Sequence, residues 1–242
     1  MKCLLLETSC VPWGVGLAEV DADKARLLGH IEDEGARTLA GNFINAMDGV
    51  LREGGIAPAA LDAIAVSLGP GSWTGLRIGL TAAKTLALSF QIPLYGIPTF
   101  DVVAKAICDA RQGNKLLLVQ APCRPGERYA KLWHCRGAEC DLLKPEWIGT
   151  LPQISEMLTE ASSAQNATGV ITASPNGGVL DLPETDVAIE ARKSTFVQRL
   201  QALADLAALR LGVAQQDDAL ALQPIYLAPS AAEREYYAKQ QQ

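Results

Sequence analysis

The chain has 242 residues, 49% of them hydrophobic, with a net charge of −6. That length and apolar content demand one large folded domain or two small ones with a sizeable core, and they exclude a disordered chain. The acidic balance speaks against autonomous nucleic-acid binding, which ordinarily shows a basic surplus.

Lys2 to Glu7 reads as a first strand, Thr8 to Pro12 as a turn, Trp13 to Val20 as a second strand and Ala25 to Ile31 as a third, an antiparallel meander. A helix is expected over 37–53, with Leu39, Phe43, Met47, Val50 and Leu51 on one face and Gly54-Gly55 as its stop. A strand at 62–68, a helix at 75–90, a short strand at 92–97 and a helix at 99–110 capped by Thr99 follow. The pattern then returns less clearly. Strands are expected at 115–121, 128–135 and 138–143, a helix at 151–161, a strand at 169–173 and a helix at 196–211. Loops are expected at 122–125, 162–168 and 174–178, and the polar tail 229–242 should fray. Two βββαβα halves point to an α/β, ribonuclease H-like fold duplicated as in actin, sugar kinases and Hsp70 (the ASKHA class), divided as 1–100 and 101–242.

Residues 67–88 organise the chain. Gly69-Pro70-Gly71 stops a buried strand, and Ser72 and Thr74 can each accept a backbone N–H at the start of the next helix. Free N–H groups and the helix dipole make such a turn a candidate anion site, with Arg77 one turn further on. Two named motifs are excluded. Gly75 is followed by Leu76-Arg77 rather than the Lys-Ser/Thr of a P-loop, and Gly69, Gly71 and Gly75 are spaced too widely for a dinucleotide fingerprint. An anion site and a tight turn seating a helix on a sheet both remain open. The helix repeats Gly75, Gly79, Ala83 and Ala87 every four residues, beside Leu76 and Leu80. Each glycine in a helix is unfavourable by about 1 kcal/mol relative to alanine, so another backbone is expected very close to this ridge. That backbone belongs either to the chain's own sheet or to a second helix from another chain.

Other chemistry is sparse. Glu7 stands at the end of the first strand, where nucleotide-binding members of this fold class keep an acidic residue, but Cys10-Val11-Pro12-Trp13 makes a bulky turn and Pro12 lacks an N–H. His30 and His134 form no metal-ligand pair and read as structural or solvent-facing. Gly71-Ser72-Trp73-Thr74-Gly75 places its serine wrongly for a nucleophile elbow. Asp217-Asp218 reads as a solvated loop pair. The cysteines at 3, 10, 108, 123, 135 and 140 contain no Cys-x-x-Cys, and the spacing of Cys123, His134, Cys135 and Cys140 fits no common zinc pattern. The N-terminus enters an apolar strand that Glu7 interrupts, and no run reaches the roughly 18 apolar residues of a membrane span, so a cytoplasmic chain with reduced thiols is expected.

Gly-Pro-Gly-Ser-Trp-Thr-Gly-Leu-Arg-Ile-Gly (69–79) resembles the signature of the bacterial TsaB (YeaZ) family. The resemblance extends to Leu-Leu-Leu-Glu-Thr-Ser (4–9), Ala-Lys-Thr-Leu-Ala-Leu (83–88), Pro-Leu-Tyr-Gly-Ile-Pro-Thr-Phe (93–100), Gly-Glu-Arg-Tyr (126–129) and Pro-Ile-Tyr-Leu (224–227). Departures from the family pattern are Glu7 for Asp, Trp73 for Phe, Pro122-Cys123-Arg124-Pro125 for Asp-Ala-Arg-x, and Ala228 for Arg. The resemblance implies an actin-like pseudoenzyme without a catalytic or metal site of its own. It would be a homodimer when alone and a partner of the paralogous enzyme TsaD, with TsaE as a further candidate partner. Such a complex makes N6-threonylcarbamoyladenosine at position 37 of tRNAs reading ANN codons, and tRNA is met only through it. The implied interface is Leu39, Phe43, Met47, Gly75, Leu76, Gly79, Leu80 and Ala83. Glu7, Ser72, Thr74 and Arg77 are candidate contacts to an anion or to ATP or ADP at the junction with TsaD. A small-molecule kinase of the same fold and a peptidase are the alternatives.

Overall fold

The structure, a computed structural model, describes residues 1–22, 24–108, 113–137, 139–177 and 186–228. Strands β1 (Lys2–Glu7), β2 (Trp13–Val20) and β3 (Ala25–Asp33) form an antiparallel meander, and β4 (Ala63–Ser67) and β5 (Leu94–Ile97) join in parallel, giving the order β3-β2-β1-β4-β5. The second sheet holds β6 (Asn114–Arg124), β7 (Glu127–Arg136), β8 (Glu139–Thr150), β9 (Val170–Ala173) and β10 (Ile189–Arg192) in the order β10-β9-β6-β7-β8. Taken from β8 inward this is the same succession of meander and parallel strands. The chain is an α/β protein with the duplicated actin-like fold.

Helices α1 (Leu39–Glu53) and α2 (Trp73–Phe90) cover one face of the first sheet, where Leu4, Leu6, Val15 and Ile64 meet Phe43, Met47, Leu80 and Ala83. On the opposite face Cys3, Leu5 and Ala65 meet Leu200, Leu203 and Ala207 of α5 (Phe196–Gly212). Because both faces are covered, β1 is apolar without alternation. In the second sheet α3 (Thr99–Ile107) sets Phe100 and Val103 against Leu117, Val119 and Ile171, and α4 (Leu151–Gln165) sets Ile154 and Leu158 against Leu116 and Leu132. The expected division at 100/101 would cut α3, so α3 is counted whole with the first half; the last helix of each half then lies on the other half's sheet. Each large apolar side chain buried in this exchange contributes about 2 kcal/mol, so the two halves support one another.

Element ends differ from expectation for local reasons. Helix α1 begins at Leu39, because the Thr38 hydroxyl donates to Gly35 O at 2.6 Å instead of capping the helix. Helix α3 follows Pro98 and ends at Ile107, so Thr99 lies inside it and is not its cap. Helix α4 runs on to Gln165, opened by a Thr150–Gln153 capping box and closed by Asn166 at φ 50°. Strand β6 passes through Pro122 to Arg124 with an irregularity in register, where a loop was expected. Strand β10 gave no sequence signal, since Ile-Glu-Ala-Arg is a four-residue, half-exposed sheet edge with no clear period. The expected positions 109–110, 138, 178 and 229–242 lie outside the described residues. Among the described residues no helix is long and apolar enough to cross a membrane.

Candidate functional site

Three glycines of the 69–79 stretch face the turn that follows β1. A Cβ on Gly71 would meet Ser9 O at 2.2 Å, one on Gly75 would meet Thr8 O at 2.0 Å, and one on Gly79 would meet Thr8 Oγ1 at 2.2 Å. Only a bare backbone admits that approach. Three of the loop's backbone donors find acceptors inside the chain. Ser72 N donates to Ser9 O at 2.6 Å, Gly75 N donates to Ser72 Oγ at 3.2 Å, and Gly69 N donates to Thr99 Oγ1 at 3.0 Å. The Thr8–Ser9 backbone thus fills the cradle in which an anion was one of the two expected occupants. Ser72 serves as the α2 cap, and Thr74 is an exposed first-turn residue.

Glu7 is fully buried. Its Oε1 accepts from Ser9 N at 2.9 Å and Ser9 Oγ at 2.5 Å, and its Oε2 accepts from Ser67 Oγ at 2.5 Å. The carboxylate clamps β1 to β4, as a strand-end acid in a serine/threonine turn does, and both of its oxygens are taken up by groups of the chain itself. The rest of the turn is sealed by the second half of the chain. Cys10 Sγ donates to Pro175 O at 3.5 Å, and the buried Arg199 donates to Pro12 O at 3.0 Å and Ser194 O at 3.4 Å. Burial, reinforced by the charge of Glu7, pushes the Cys10 thiol up to about 12.

The small-residue ridge also faces inward. Leu39, Phe43, Met47, Gly75, Leu76, Gly79, Leu80 and Ala83 are all buried within the monomer, Ala83 completely. They form the core under α1 and α2, so the implied interface residues are unavailable to a partner. The faces those helices turn outward carry Ile44, 64% exposed, on α1 and Arg77, Thr81, Thr85 and Leu88 on α2. At the start of α2, Arg77 lies over the Trp73 ring at 4.3 Å, Trp73 stacks on Tyr226 at 4.0 Å, and Arg77 Nε donates to Tyr226 Oη at 3.3 Å. Of the four candidate anion contacts, Arg77 alone offers an exposed cation.

Tyr226 reaches that place through a strap that sequence reasoning missed. Asp217 is no solvated residue. It accepts from both Arg210 guanidinium nitrogens, at 2.8 and 2.9 Å, and from Gly96 N at 2.7 Å. Ile225 N donates to Leu68 O at 2.8 Å, and Lys84 Nζ donates to Leu220 O at 3.1 Å and Leu222 O at 2.9 Å. The strap therefore ties the α5 side of the first sheet to the α2 side. The quoted Pro-Ile-Tyr-Leu was its one visible trace.

In the second half Cys135 and Cys140 form a disulfide, which overturns the expectation of six reduced thiols. The two face each other across β7 and β8 with Cα atoms 4.0 Å apart, a proximity the five-residue spacing alone did not reveal. His134 is buried beside Asn114, with Nε2 and Oδ1 2.5 Å apart, and His30 lies against Phe196 with ring centres 6.0 Å apart. Lys131 bridges Asp101 at 2.6 Å and Glu146 at 2.9 Å, and burial raises the Asp101 carboxyl above its ordinary value despite that pairing.

Residues 27–121 match the family model of TsaD, tRNA N6-adenosine threonylcarbamoyltransferase. The chain is 29% identical over 160 residues to the tRNA threonylcarbamoyladenosine biosynthesis protein TsaB of Bacillus subtilis, covering 66% of this chain and 67% of that protein. It is 32% identical over 107 residues to the Escherichia coli protein of the same description, covering 41% of this chain and 46% of the relative. It is 38% identical over 108 residues to a tRNA N6-adenosine threonylcarbamoyltransferase of Nitratidesulfovibrio vulgaris, over 40% of this chain but only 30% of that enzyme. Among solved structures, YeaZ from Pseudomonas aeruginosa superposes with a TM-score of 0.70 and 22% identity, covering 93% of this chain and 99% of that one. A further solved structure, of a protein described as having similarity to peptidase YeaZ from Pseudomonas aeruginosa, gives a TM-score of 0.73 and 24% identity, over 94% and 99% of the two chains. In sequence the chain is similar to the TsaB proteins, and in fold to YeaZ. The segment matched to TsaD contains the glycine loop and helices α1 and α2, but not the Thr8–Ser9 turn that fills the loop or the strap that carries Tyr226.

Proposed function

We propose that this chain is a non-catalytic subunit in formation of N6-threonylcarbamoyladenosine at position 37 of tRNAs reading ANN codons, acting as the partner of a TsaD-type transferase. Its homologues named for threonylcarbamoyladenosine biosynthesis support the process. The observation that carries the non-catalytic reading is the filled cradle, with Thr8 O where a Cβ of Gly75 would be and Glu7 consumed by Ser9 and Ser67. A kinase of this fold needs that carboxylate and those N–H groups for a magnesium nucleotide. With the ridge buried, the partner surface passes to the outward side of α1 and α2 around Ile44, Arg77, Thr81 and Leu88. The same face would serve the homodimer, so self-association and transferase binding compete. A nucleotide at the junction, ATP or ADP, would meet Arg77 and not Glu7, and TsaE and tRNA would be reached through the assembled complex.

The test is reconstitution. The purified chain alone is expected to show no ATP turnover and no peptide cleavage. It should restore threonylcarbamoyladenosine formation when added to a TsaD-type transferase and the remaining components. ATP hydrolysis by the chain alone that is lost in Glu7→Ala would overturn the reading in favour of a kinase.

A further inference from the structure

The described residues contain a sulfur cluster that the proposed function leaves unused. Cys108 follows the end of α3, Cys135 lies in β7 and Cys140 in β8, and their three Sγ atoms all lie within 4.8 Å of one another. Cys108 Sγ is 3.0 Å from Cys140 Sγ, and Cys140 is bonded to Cys135. Cys135 is fully buried, whereas Cys108 and Cys140 are half-buried and open onto a cleft of about 290 Å³ that Asp101, Lys105, Trp133 and Leu206 also line. No sequence pattern announces this trio, because its third member lies 32 residues from Cys140 and is brought in by the crossing of α3 onto the second sheet.

We propose that, once the Cys135–Cys140 bond is reduced, these cysteines form a three-thiolate site for one soft d10 cation of the Zn²⁺ and Cd²⁺ class. Thiolates select such cations over hard ones. A zinc–sulfur bond of about 2.3 Å places tetrahedral thiolates roughly 3.8 Å apart, a spacing within the reach of this cluster. Two adjacent strands and a helix end hold the three side chains, so ligation requires turning side chains and not moving backbone. Three thiolates leave a divalent cation with a fourth position, which faces the cleft and admits water.

The disulfide and the metal-bound form exclude each other. A dithiol reductant supplies two electrons and two protons to the Cys135–Cys140 bond and closes to its own disulfide, leaving two thiols. Cation binding then forms three metal–sulfur bonds and releases a proton from each thiol. Occupancy would fasten the end of α3, where the chain passes from the first sheet to the second, to the β7–β8 hairpin.

The experiment uses the full chain, stripped of metal and fully reduced with a phosphine. Cd²⁺ is titrated while the ultraviolet thiolate-to-metal charge-transfer band is read, and Zn²⁺ affinity is measured against a chromogenic chelator. The expected result is one cation per chain. Cys108→Ser and Cys140→Ser should each weaken binding by more than the roughly 10- to 100-fold typical of a lost outer-shell partner. Cys123→Ser should leave binding unchanged. The wild-type chain oxidised with diamide should bind no cation, a comparison that needs no variant to fold. Absence of Cd²⁺ uptake by the reduced chain, equal affinity after Cys108→Ser, or equal uptake by the oxidised chain would each overturn the proposal. A Cys108–Cys140 bond in peptide maps of the oxidised chain, with no cation uptake on reduction, would also overturn it and leave thiol–disulfide exchange as the role of the trio.

Discussion

The two halves share a strand order, yet their first hairpins have opposite surroundings. The β1–β2 turn is buried, with Glu7, Thr8, Ser9 and Cys10 each at most 5% exposed. The topologically equivalent β6–β7 turn ends at an exposed Pro125-Gly126, where Gly126 takes φ 79° and a Cβ would touch nothing within 4 Å. Strand pairing is the same in both, so pairing does not decide whether a turn is buried. The neighbours decide it: the glycine-lined start of α2 lets a second backbone lie against residues 8 and 9, and Pro175 and Arg199 close over Cys10 and Pro12. A turn held in this way is rigid and filled. One without such a neighbour is an ordinary surface hairpin.

The largest test of this contrast sets inward against outward positions on α2. Ala83→Glu would bury an unpaired carboxylate at a fully enclosed site. It should abolish the cooperative fold, seen as loss of the thermal transition by circular dichroism. Thr81→Glu, on the exposed side, should keep the fold and weaken capture of a TsaD-type transferase. A folded, monomeric Ala83→Glu chain would return the ridge to the interface.

The next test compares two helical glycines. Gly75→Ala would set a Cβ 2.0 Å from Thr8 O and should destabilise by about 3 kcal/mol, the upper range for overpacking. Gly41→Ala meets nothing within 4 Å and should stabilise by about 0.5–1 kcal/mol through helix propensity. Urea midpoints at constant m measure both. Equal effects at the two sites would mean that Thr8 does not press on α2.

Ser72→Ala removes the acceptor for Gly75 N and should lower stability by about 1 kcal/mol, with partner capture retained. Loss of threonylcarbamoyladenosine formation at unchanged stability would instead give the loop a direct part in the complex.

The smallest effect concerns acid. Arg192 and Lys115 hold Glu190 at about 2 in the second half, as Lys2 and Arg26 hold Glu19 at about 2 in the first. Both folded values lie below the ordinary 4.5, so each contributes stability above that pH and loses it as pH falls from 4.5 through 2. Glu190→Gln should flatten part of that loss in a pH series of urea midpoints. The change will be small, because the group is largely exposed and screened.

Strand and helix identities were legible wherever the apolar pattern was strong. Continuous runs such as Cys3 to Leu6 marked strands covered on both faces, and the four-residue period on α1 and α5 marked their buried sides. From those elements the duplicated topology followed. Weakly patterned pieces did not show themselves. Strand β10 exists through its parallel pairing with β9, and the 217–226 strap through hydrogen bonds to residues more than 100 positions away.

The sequence by itself also determined that something must lie very close to Gly75 and Gly79, because a helix does not carry such residues without a reason. Only the tertiary structure decided that the neighbour is the chain's own Thr8 and not a partner's helix. Likewise, composition counted six cysteines, while the folding of α3 across the second sheet chose the three that meet. The physical reason is common to both. Periodicity fixes which residues share a face, but which surface covers that face depends on contacts between residues remote in the chain, and local pattern carries no record of them.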